Sequence, residues 1–309
     1  MSDEFTQLPG INESGGSNVG VTCVAARSAL HYHDKEQPTR WDLNVYRGCT
    51  HGCRYCFARY SHDYIGSGDF FGHIVAKSNL PGLLHRELSR SSWKKEAVNL
   101  GGVSDSYQKA EASMELMPEI LKIFIHHSNP VLISTKSDLI LRDASLFAQL
   151  SVKAEVRVAA SIITSNDYLA SLLEPGASPP SHRFAMLKAM KQQGIKTYIL
   201  LMPVLPYLTD TMEHLEAIYQ KASKANVDGI LAWPLNLRGQ VKPAFISFLR
   251  EHFPALVPLY LGLYDRSEVT GPYLKSVMEI VAELRAKYGI GTIPRFKTGK
   301  SDEQQMSLF

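Results

Sequence analysis

The stretch NVYRGCTHGCRYCFARY, residues 44–60, contains three of the four cysteines of this 309-residue chain. The thiols belong to Cys49, Cys53 and Cys56, so their spacing is Cys-x3-Cys-x2-Cys. Three thiolates on one tight loop suit an iron–sulfur cube in which each sulfur ligates one iron. Three ligands for four irons leave one iron open to further chemistry. The two glycines of the stretch let the loop fold closely around such a group.

A structural zinc site with His51 as its fourth ligand is the alternative interpretation of the same loop. Zinc sites of that kind pair a Cys-x2-Cys unit with a second, distant ligand pair, and this chain has no second cysteine pair. The remaining cysteine, Cys23, is either a fourth ligand or an ordinary thiol that packs as a small hydrophobic residue. Clustered thiols do not form a disulfide framework, so they indicate a reducing compartment.

Composition excludes few classes of function. The net charge is +3, from 33 basic and 30 acidic residues, which neither requires nor excludes a nucleic-acid partner. The polar N-terminus lacks the basic segment and apolar run of a signal peptide. Since no stretch approaches the roughly 18 apolar residues that span a bilayer, we expect a cytoplasmic protein with no membrane association.

Short apolar runs alternate with helical patterns from Trp41 onward, which predicts βα units and a parallel sheet. The expected fold is α/β, a partial parallel (β/α)6-type TIM barrel with a C-terminal helical extension. A doubly wound open sheet is the competing arrangement. The predicted segments are an N-terminal lead-in over 1–40, a core over 41–240, the helical extension over 241–296 and a flexible tail over 297–309.

The pattern Cys-x3-Cys-x-Tyr-Cys over residues 49–56 resembles the signature of the radical S-adenosylmethionine (SAM) superfamily. The resemblance implies that Cys49, Cys53 and Cys56 hold a [4Fe-4S] cluster whose open iron chelates SAM. An electron from the cluster would then cleave SAM to a 5′-deoxyadenosyl radical that abstracts hydrogen, which requires a reductant of the flavodoxin or ferredoxin type. Segment 44–59 further resembles the spore photoproduct lyase-like proteins, often labelled DNA repair photolyases, and the likeness extends to about residue 235.

The resemblance assigns further residues to SAM, most of them near the C-terminal ends of successive predicted strands, where barrels of this kind place their sites. Tyr55 matches an aromatic residue that packs on the adenine. Arg183 follows Glu174 in a family pattern and suits a bidentate grip on the SAM carboxylate. The alternatives are a solvated helix position and a salt bridge to Glu174. For Met202, a core methionine is the alternative. The implied set is Tyr55, Gly101, Gly102, Ser104, Lys136, Ser161, Arg183 and Met202.

One departure from true spore photoproduct lyases separates this chain from them. Those enzymes carry a hydrogen-donating cysteine in the segment that here reads Gly-Val-Ser-Asp, residues 102–105. Because that thiol is absent, the sequence does not predict thymine-dimer reversal of their kind. Tyr107 and Tyr264 are the predicted catalytic residues, as radical relays in place of a thiol.

The sequence therefore predicts a lyase-like radical SAM enzyme that abstracts hydrogen from a substrate, with a nucleic-acid lesion as the candidate and DNA repair as the setting. A peptide- or protein-modifying radical SAM enzyme is one alternative. A non-catalytic metal-cluster interaction module is another.

The last five residues carry a separate resemblance. They are Gln305, Met306, Ser307, Leu308 and Phe309. They resemble the peptide by which bacterial DNA enzymes dock on the β sliding clamp, in which two apolar anchors enter a preformed pocket. The alternative is that Leu308 and Phe309 fold back on the domain. The clamp and DNA are thus the predicted macromolecular partners.

Overall fold

The computed structural model describes residues 6–7, 20–34, 39–66 and 68–296. Its strands are numbered in chain order. They are β1 (Thr6–Gln7), β2 (Gly20–Ala25), β3 (Leu30–Tyr32), β4 (Trp41–Leu43), β5 (Tyr46–Arg47), β6 (His73–Lys77), β7 (Val98–Leu100), β8 (Val131–Thr135), β9 (Val156–Ser161), β10 (Lys196–Val204) and β11 (Gly229–Pro234).

The helices alternate with the later strands. They are α1 (Leu80–Leu88), α2 (Glu111–Met114), α3 (Leu116–His127), α4 (Ala144–Ser151), α5 (Asp167–Leu173), α6 (Pro180–Gln192), α7 (Met212–Ala225), α8 (Val241–His252), α9 (Val257–Leu263) and α10 (Gly271–Tyr288). Short 3-10 helices cover Phe57–Ile65, Asp138–Asp143 and Pro254–Leu256. Within the described ranges no helix is long and apolar enough to cross a membrane.

The main sheet has the order β11-β10-β9-β8-β7-β4-β3, and β4, β7, β8, β9, β10 and β11 are parallel. The six parallel strands stand in the sheet in the order in which they occur in the chain. A doubly wound sheet reverses its strand order at a switch point, and this sheet does not. The prediction of an α/β partial parallel barrel of six strands is therefore confirmed.

Burial explains why these runs form the strands. Every residue of β9 is buried, and four of the five residues of β8 are buried. Strands covered on both faces read as continuous runs of small and β-branched residues rather than as alternating ones. Apolar side chains from the sheet and from α1, α3, α4, α6, α7 and α10 join in one core cluster.

A second, smaller sheet lies outside the barrel strands, with the order β1-β2-β6-β5. In it β2 pairs in parallel with β6, while β5 pairs with β6 in antiparallel orientation. Because β5 directly precedes the cysteine loop, this sheet fixes where the loop begins. The C-terminal part of the chain is helical from α8 to α10, as expected, and α10 packs on α7. The four-segment division of the chain stays a prediction.

Candidate active site at the C-terminal edge of the sheet

The residues that the sequence assigned to SAM come together at one edge of the main sheet. Gly101 and Gly102 follow β7, Lys136 follows β8, and Ser161 is the last residue of β9. Met202 stands near the end of β10. Parallel strands end at the same edge, so four neighbouring strands deliver these positions to the edge at which the cysteine loop also lies.

Backbone hydrogen bonds hold the cysteine loop. The Cys49 amide donates to Phe70 O at 3.1 Å, and the Cys56 amide donates to Cys53 O at 3.2 Å. Cys49 and Cys53 are buried, and Cys56 is half-buried. Cys53 packs in one apolar cluster and Cys49 in another, while Cys56 packs against both. The loop therefore presents its three thiols to one region between the two clusters.

The thiols are poorly suited to remain isolated there as anions. Burial raises the pKa of Cys49 to about 12 and raises the pKa of Cys53 and of Cys56 as well. Neighbouring thiolates add to the rise for Cys49 and Cys53, because like charges repel. A cationic metal group removes this penalty, since a coordinating thiol is deprotonated outright. Three soft donors around one region, two of them buried and one half-buried, fit an iron–sulfur cluster.

The zinc alternative does not fit the same loop. His51 is buried, with Nδ1 3.0 Å from Gly176 O and Nε2 2.9 Å from Asp105 Oδ2, so neither ring nitrogen is available to a metal. In the described part of the chain, the three thiols are not among the groups whose ligand atoms all lie within 4.8 Å of one another. Sulfur atoms on one tetrahedral zinc lie about 3.8 Å apart. His51 instead positions the loop.

Asp105 connects the loop to the third barrel strand. Its carboxylate accepts hydrogen bonds from Thr135 Oγ1 at 2.8 Å, from the Lys136 amide at 2.7 Å and from the Tyr107 amide at 2.8 Å. Burial alone would raise the pKa of Asp105, but His51 and the amides of Lys136 and Tyr107 outweigh burial and lower the pKa to about 2. An ionised Asp105 therefore locks the loops after β7 and β8 to each other.

Ser104 and Gln108 join the end of β7 to the cysteine loop. Ser104 Oγ donates to Gly48 O at 2.6 Å, and Gln108 Nε2 donates to the same oxygen at 3.0 Å. The Thr50 amide donates to Gln108 Oε1 at 3.0 Å. Ser104 thus contacts the loop itself. Gln108 could not be recognised from the sequence, because a glutamine that becomes fully buried carries no distinguishing spacing or motif.

A buried ion pair lies beneath the loop. Arg183 Nη2 is 2.6 Å from Glu174 Oε2, and both side chains are at most 1% exposed. Arg183 also donates to Ser178 O and Ser161 O, each at 2.7 Å, so its three nitrogens are all engaged. The salt-bridge alternative for Arg183 is the arrangement that the structure shows.

Glu174 links this pair to the loop and to Lys136. Tyr55 donates its hydroxyl to Glu174 Oε1, and Lys136 Nζ lies 3.9 Å from the same oxygen. The Lys136 ammonium also lies 5.9 Å from the centroid of the Tyr55 ring. Burial opposes the charge on Lys136, but Cys53 and Glu174 outweigh burial and raise its pKa. A protonated lysine with 18% of its side chain exposed thus faces the edge of the sheet.

Two other predicted positions differ in exposure. Ser161 is buried, and its carbonyl accepts from Arg183, whereas Met202 is 37% exposed. Met202 is therefore not the core methionine of the alternative interpretation. Its side chain is accessible at the edge of the sheet.

The two candidate relay tyrosines lie in different apolar clusters. Tyr107 belongs to the main core, and its hydroxyl donates to Asp143 Oδ2 at 2.9 Å. Tyr264 shares its cluster with Cys53 and Tyr55, and its hydroxyl donates to Leu235 O at 2.9 Å. Both rings are fully buried. Cys23 is half-buried in β2, in the second sheet.

Replacing Gly48 by Ala is expected to destabilise the fold by about 3 kcal/mol. Gly48 has φ +77°, and a Cβ there would lie 2.5 Å from His73 O, a backbone atom that cannot move aside cheaply. The matched control is Gly194→Ala, with φ +78° and open space around the added carbon, for which strain alone predicts about 1–2 kcal/mol. Unfolding in urea measures the free energy of unfolding of both variants. Equal losses of stability in the two variants would contradict the close contact between a Cβ at position 48 and His73 O.

Comparison with known proteins identifies a family and several relatives of this chain. Residues 43–222 match the family model described as the Radical SAM superfamily. An uncharacterized protein of Mycobacterium tuberculosis (strain ATCC 25618 / H37Rv) is 38% identical over 255 residues, which cover 81% of this chain and 75% of that protein. An uncharacterized protein of Methanocaldococcus jannaschii is 32% identical over 194 residues, covering 63% of this chain and 71% of the relative.

Among solved structures, a spore photoproduct lyase mutant with bound AdoMet and dinucleoside spore photoproduct has a TM-score of 0.69 and 12% identity. The match covers 90% of this chain and 82% of that one. Streptococcus suis SuiB bound to precursor peptide SuiA has a TM-score of 0.51 and 14% identity, over 81% of this chain and 47% of that one. At such identities the likeness concerns the fold.

Proposed function

Because the chain belongs to the radical SAM superfamily, whose enzymes use a [4Fe-4S] cluster and SAM, we propose that Cys49, Cys53 and Cys56 hold the cluster and that the enzyme abstracts hydrogen from a nucleic-acid substrate. The observation that carries the proposal is the position of the three thiols. They lie at the C-terminal edge of six parallel strands, where Lys136 and Met202 also stand.

When bound, the cluster supplies the electron that cleaves SAM, and SAM supplies the hydrogen-abstracting group. The chain's own residues bind and orient. Lys136, whose side chain is 18% exposed, offers its ammonium to the SAM carboxylate, and Met202 offers an accessible apolar side chain for the adenine. Arg183 acts as a positioning residue, because its guanidinium fixes Glu174, which in turn holds Tyr55 beneath the cysteine loop.

The route by which a hydrogen atom returns to the product is also part of the proposal. Gly102 occupies the position of the lyase cysteine, so a thiol at that position is not the donor. Tyr264 is the better candidate of the two tyrosines, because it shares an apolar cluster with Cys53 and Tyr55. Tyr107 instead donates its hydroxyl to a carboxylate in the main core.

Exposed aromatic side chains at the same edge support a nucleic acid as the substrate. Phe57 directly follows the last cysteine and is 45% exposed, and Trp233, near the end of β11, is 48% exposed. Arg238 lies over the Phe57 ring, with 5.8 Å between its Cζ and the ring centroid. Aromatic faces beside guanidinium groups bind unpaired bases by stacking, which contributes about 1–3 kcal/mol per base.

Replacing Trp233 by Ala is expected to weaken the binding of a single-stranded oligonucleotide by about tenfold, since one stacking contact is lost. Tyr32→Ala is the matched control: Tyr32 is 52% exposed but pairs with Trp41, the first residue of β4, at the opposite edge of the sheet. Fluorescence anisotropy with the cluster-loaded protein measures both dissociation constants. Equal affinities for Trp233→Ala and the unmodified protein would contradict the stacking surface.

The substrate itself is tested by the rate of deoxyadenosine formation. We expect an ultraviolet-irradiated oligonucleotide to raise that rate above the rate with the same oligonucleotide before irradiation. Identical rates would count against a nucleic-acid lesion. Docking on the sliding clamp stays a prediction, because residues 305–309 lie outside the described residues.

A further inference from the structure

Three histidines form a cluster on the outer helices, away from the cysteine loop. His85 lies in the last turn of α1, and His126 and His127 lie in the last turn of α3. Only residues 128–130 separate α3 from β8. The cluster therefore stands at the edge where the parallel strands begin, and the cysteine loop stands where they end.

The ring nitrogens have the spacing of ligands on one metal ion. One nitrogen from each histidine lies within 4.8 Å of the other two, and Nε2 of His127 is 3.1 Å from Nδ1 of His85. On a tetrahedral zinc with Zn–N bonds of about 2.0–2.1 Å, two ligand nitrogens lie about 3.3–3.4 Å apart. Two of the three ligands thus stand at nearly the required separation without any bound ion.

The surroundings favour a cation at this position. His85 and His126–His127 stand at the C-terminal ends of two helices that pack on each other, and helix C-termini carry a negative partial charge. A hydrogen bond between two rings explains the 3.1 Å contact alone, but it does not explain why a third ring joins them.

We propose that His85, His126 and His127 bind a divalent transition metal of the class that prefers imidazole, with zinc as its commonest member. Three ligands leave the fourth position to solvent. The bound ion joins the C-terminal ends of α1 and α3 and stabilises the helical layer. The site is independent of the proposed function, because it lies at the opposite edge of the sheet from the cluster cysteines.

Calorimetric titration of Zn²⁺ into the anaerobic, cluster-loaded protein tests the proposal, since iron already occupies the cysteine thiols. We expect one equivalent to bind with a micromolar dissociation constant, and the constant to rise at least about tenfold in His85→Asn and in His126→Asn. Both side chains are exposed, so these changes spare the core. His252→Asn, in the last turn of α8, is the matched control and should bind zinc unchanged.

The melting temperature gives a second measurement. Saturating Zn²⁺ should raise it by about 5 °C in the unmodified protein and in His252→Asn, and by much less in the other two variants. The proposal is overturned if the protein binds no Zn²⁺ below about 1 mM. It is equally overturned if His85→Asn and His126→Asn bind the ion as tightly as the unmodified protein does.

Discussion

Replacement of Arg183 by Ala is expected to lower the free energy of unfolding by about 3–5 kcal/mol, because it leaves a buried carboxylate without its partner. Glu174 and Arg183 are at most 1% exposed and 2.6 Å apart. The change also removes the donors to the carbonyls of Ser161 and Ser178. Lys136, 3.9 Å from Glu174, compensates only in part.

Chemical denaturation of the anaerobic protein measures this loss, and Lys275→Ala is its control. Lys275 pairs with Glu279 at 3.7 Å on the surface of α10, with both side chains mostly exposed, so the midpoint should not move. A double variant, Arg183→Met with Glu174→Gln, should be less destabilised than the sum of the single changes, since no buried charge is left uncompensated. If Arg183→Ala and Lys275→Ala lower the free energy of unfolding equally, the buried pair of Glu174 and Arg183 does not stabilise the fold.

Replacement of Cys53 by Ala is expected to remove the iron–sulfur cluster and, with it, the cleavage of SAM. Loss of a residue that only supports a metal ligand typically lowers activity by roughly 10–100-fold, and loss of the ligand Cys53 should lower the rate of SAM cleavage by more. Two remaining thiols cannot hold three of the four irons. The change removes only a small side chain from the apolar core that contains Tyr55 and Leu173, so the fold itself should persist. Iron and sulfide content per chain, measured after anaerobic reconstitution, checks the expected loss.

Cys23→Ala is the matched control for that variant. Cys23 is half-buried in β2, opposite Ala76 of β6, and does not belong to the loop. Its replacement should leave the iron content and the cleavage of SAM unchanged. A loss of iron in Cys23→Ala would instead favour a fourth protein ligand, which leaves no open iron for SAM.

The barrel could be predicted from the sequence because its central strands, β8 and β9, are buried on both faces and so read as continuous apolar runs. The apolar runs at residues 131–135 and 229–233 predict strands, and β8 and β11 cover nearly the same residues. The start of α7 is less readable, because both Thr209 and Thr211 are of a residue type that caps helices. Thr211 caps α7 by accepting from the His214 amide, whereas Thr209 Oγ1 accepts from the Leu205 amide. Adjacent polar residues compete for such roles, and local sequence does not decide between them.

The contacts that hold the cysteine loop in position could not be predicted, because they join segments that are distant in the sequence. The pairing of β2 with β6 joins residues about 50 positions apart, through strands of five or six residues with mixed composition. Gln108 and Asp105 reach back to a loop more than 50 residues earlier. The cysteine pattern predicts the chemistry because its residues are close together in the sequence. The residues that orient the loop are polar side chains with no motif of their own, and only the folded chain brings them to it.

The formation of deoxyadenosine from SAM by the reduced, cluster-loaded protein tests the central claim most directly. With dithionite under anaerobic conditions, the unmodified protein and Cys23→Ala should both form deoxyadenosine, and Cys53→Ala should form none above the background of the reagents. Deoxyadenosine formation by Cys53→Ala at the rate of the unmodified protein would contradict the assignment of the cysteine loop as the cluster site.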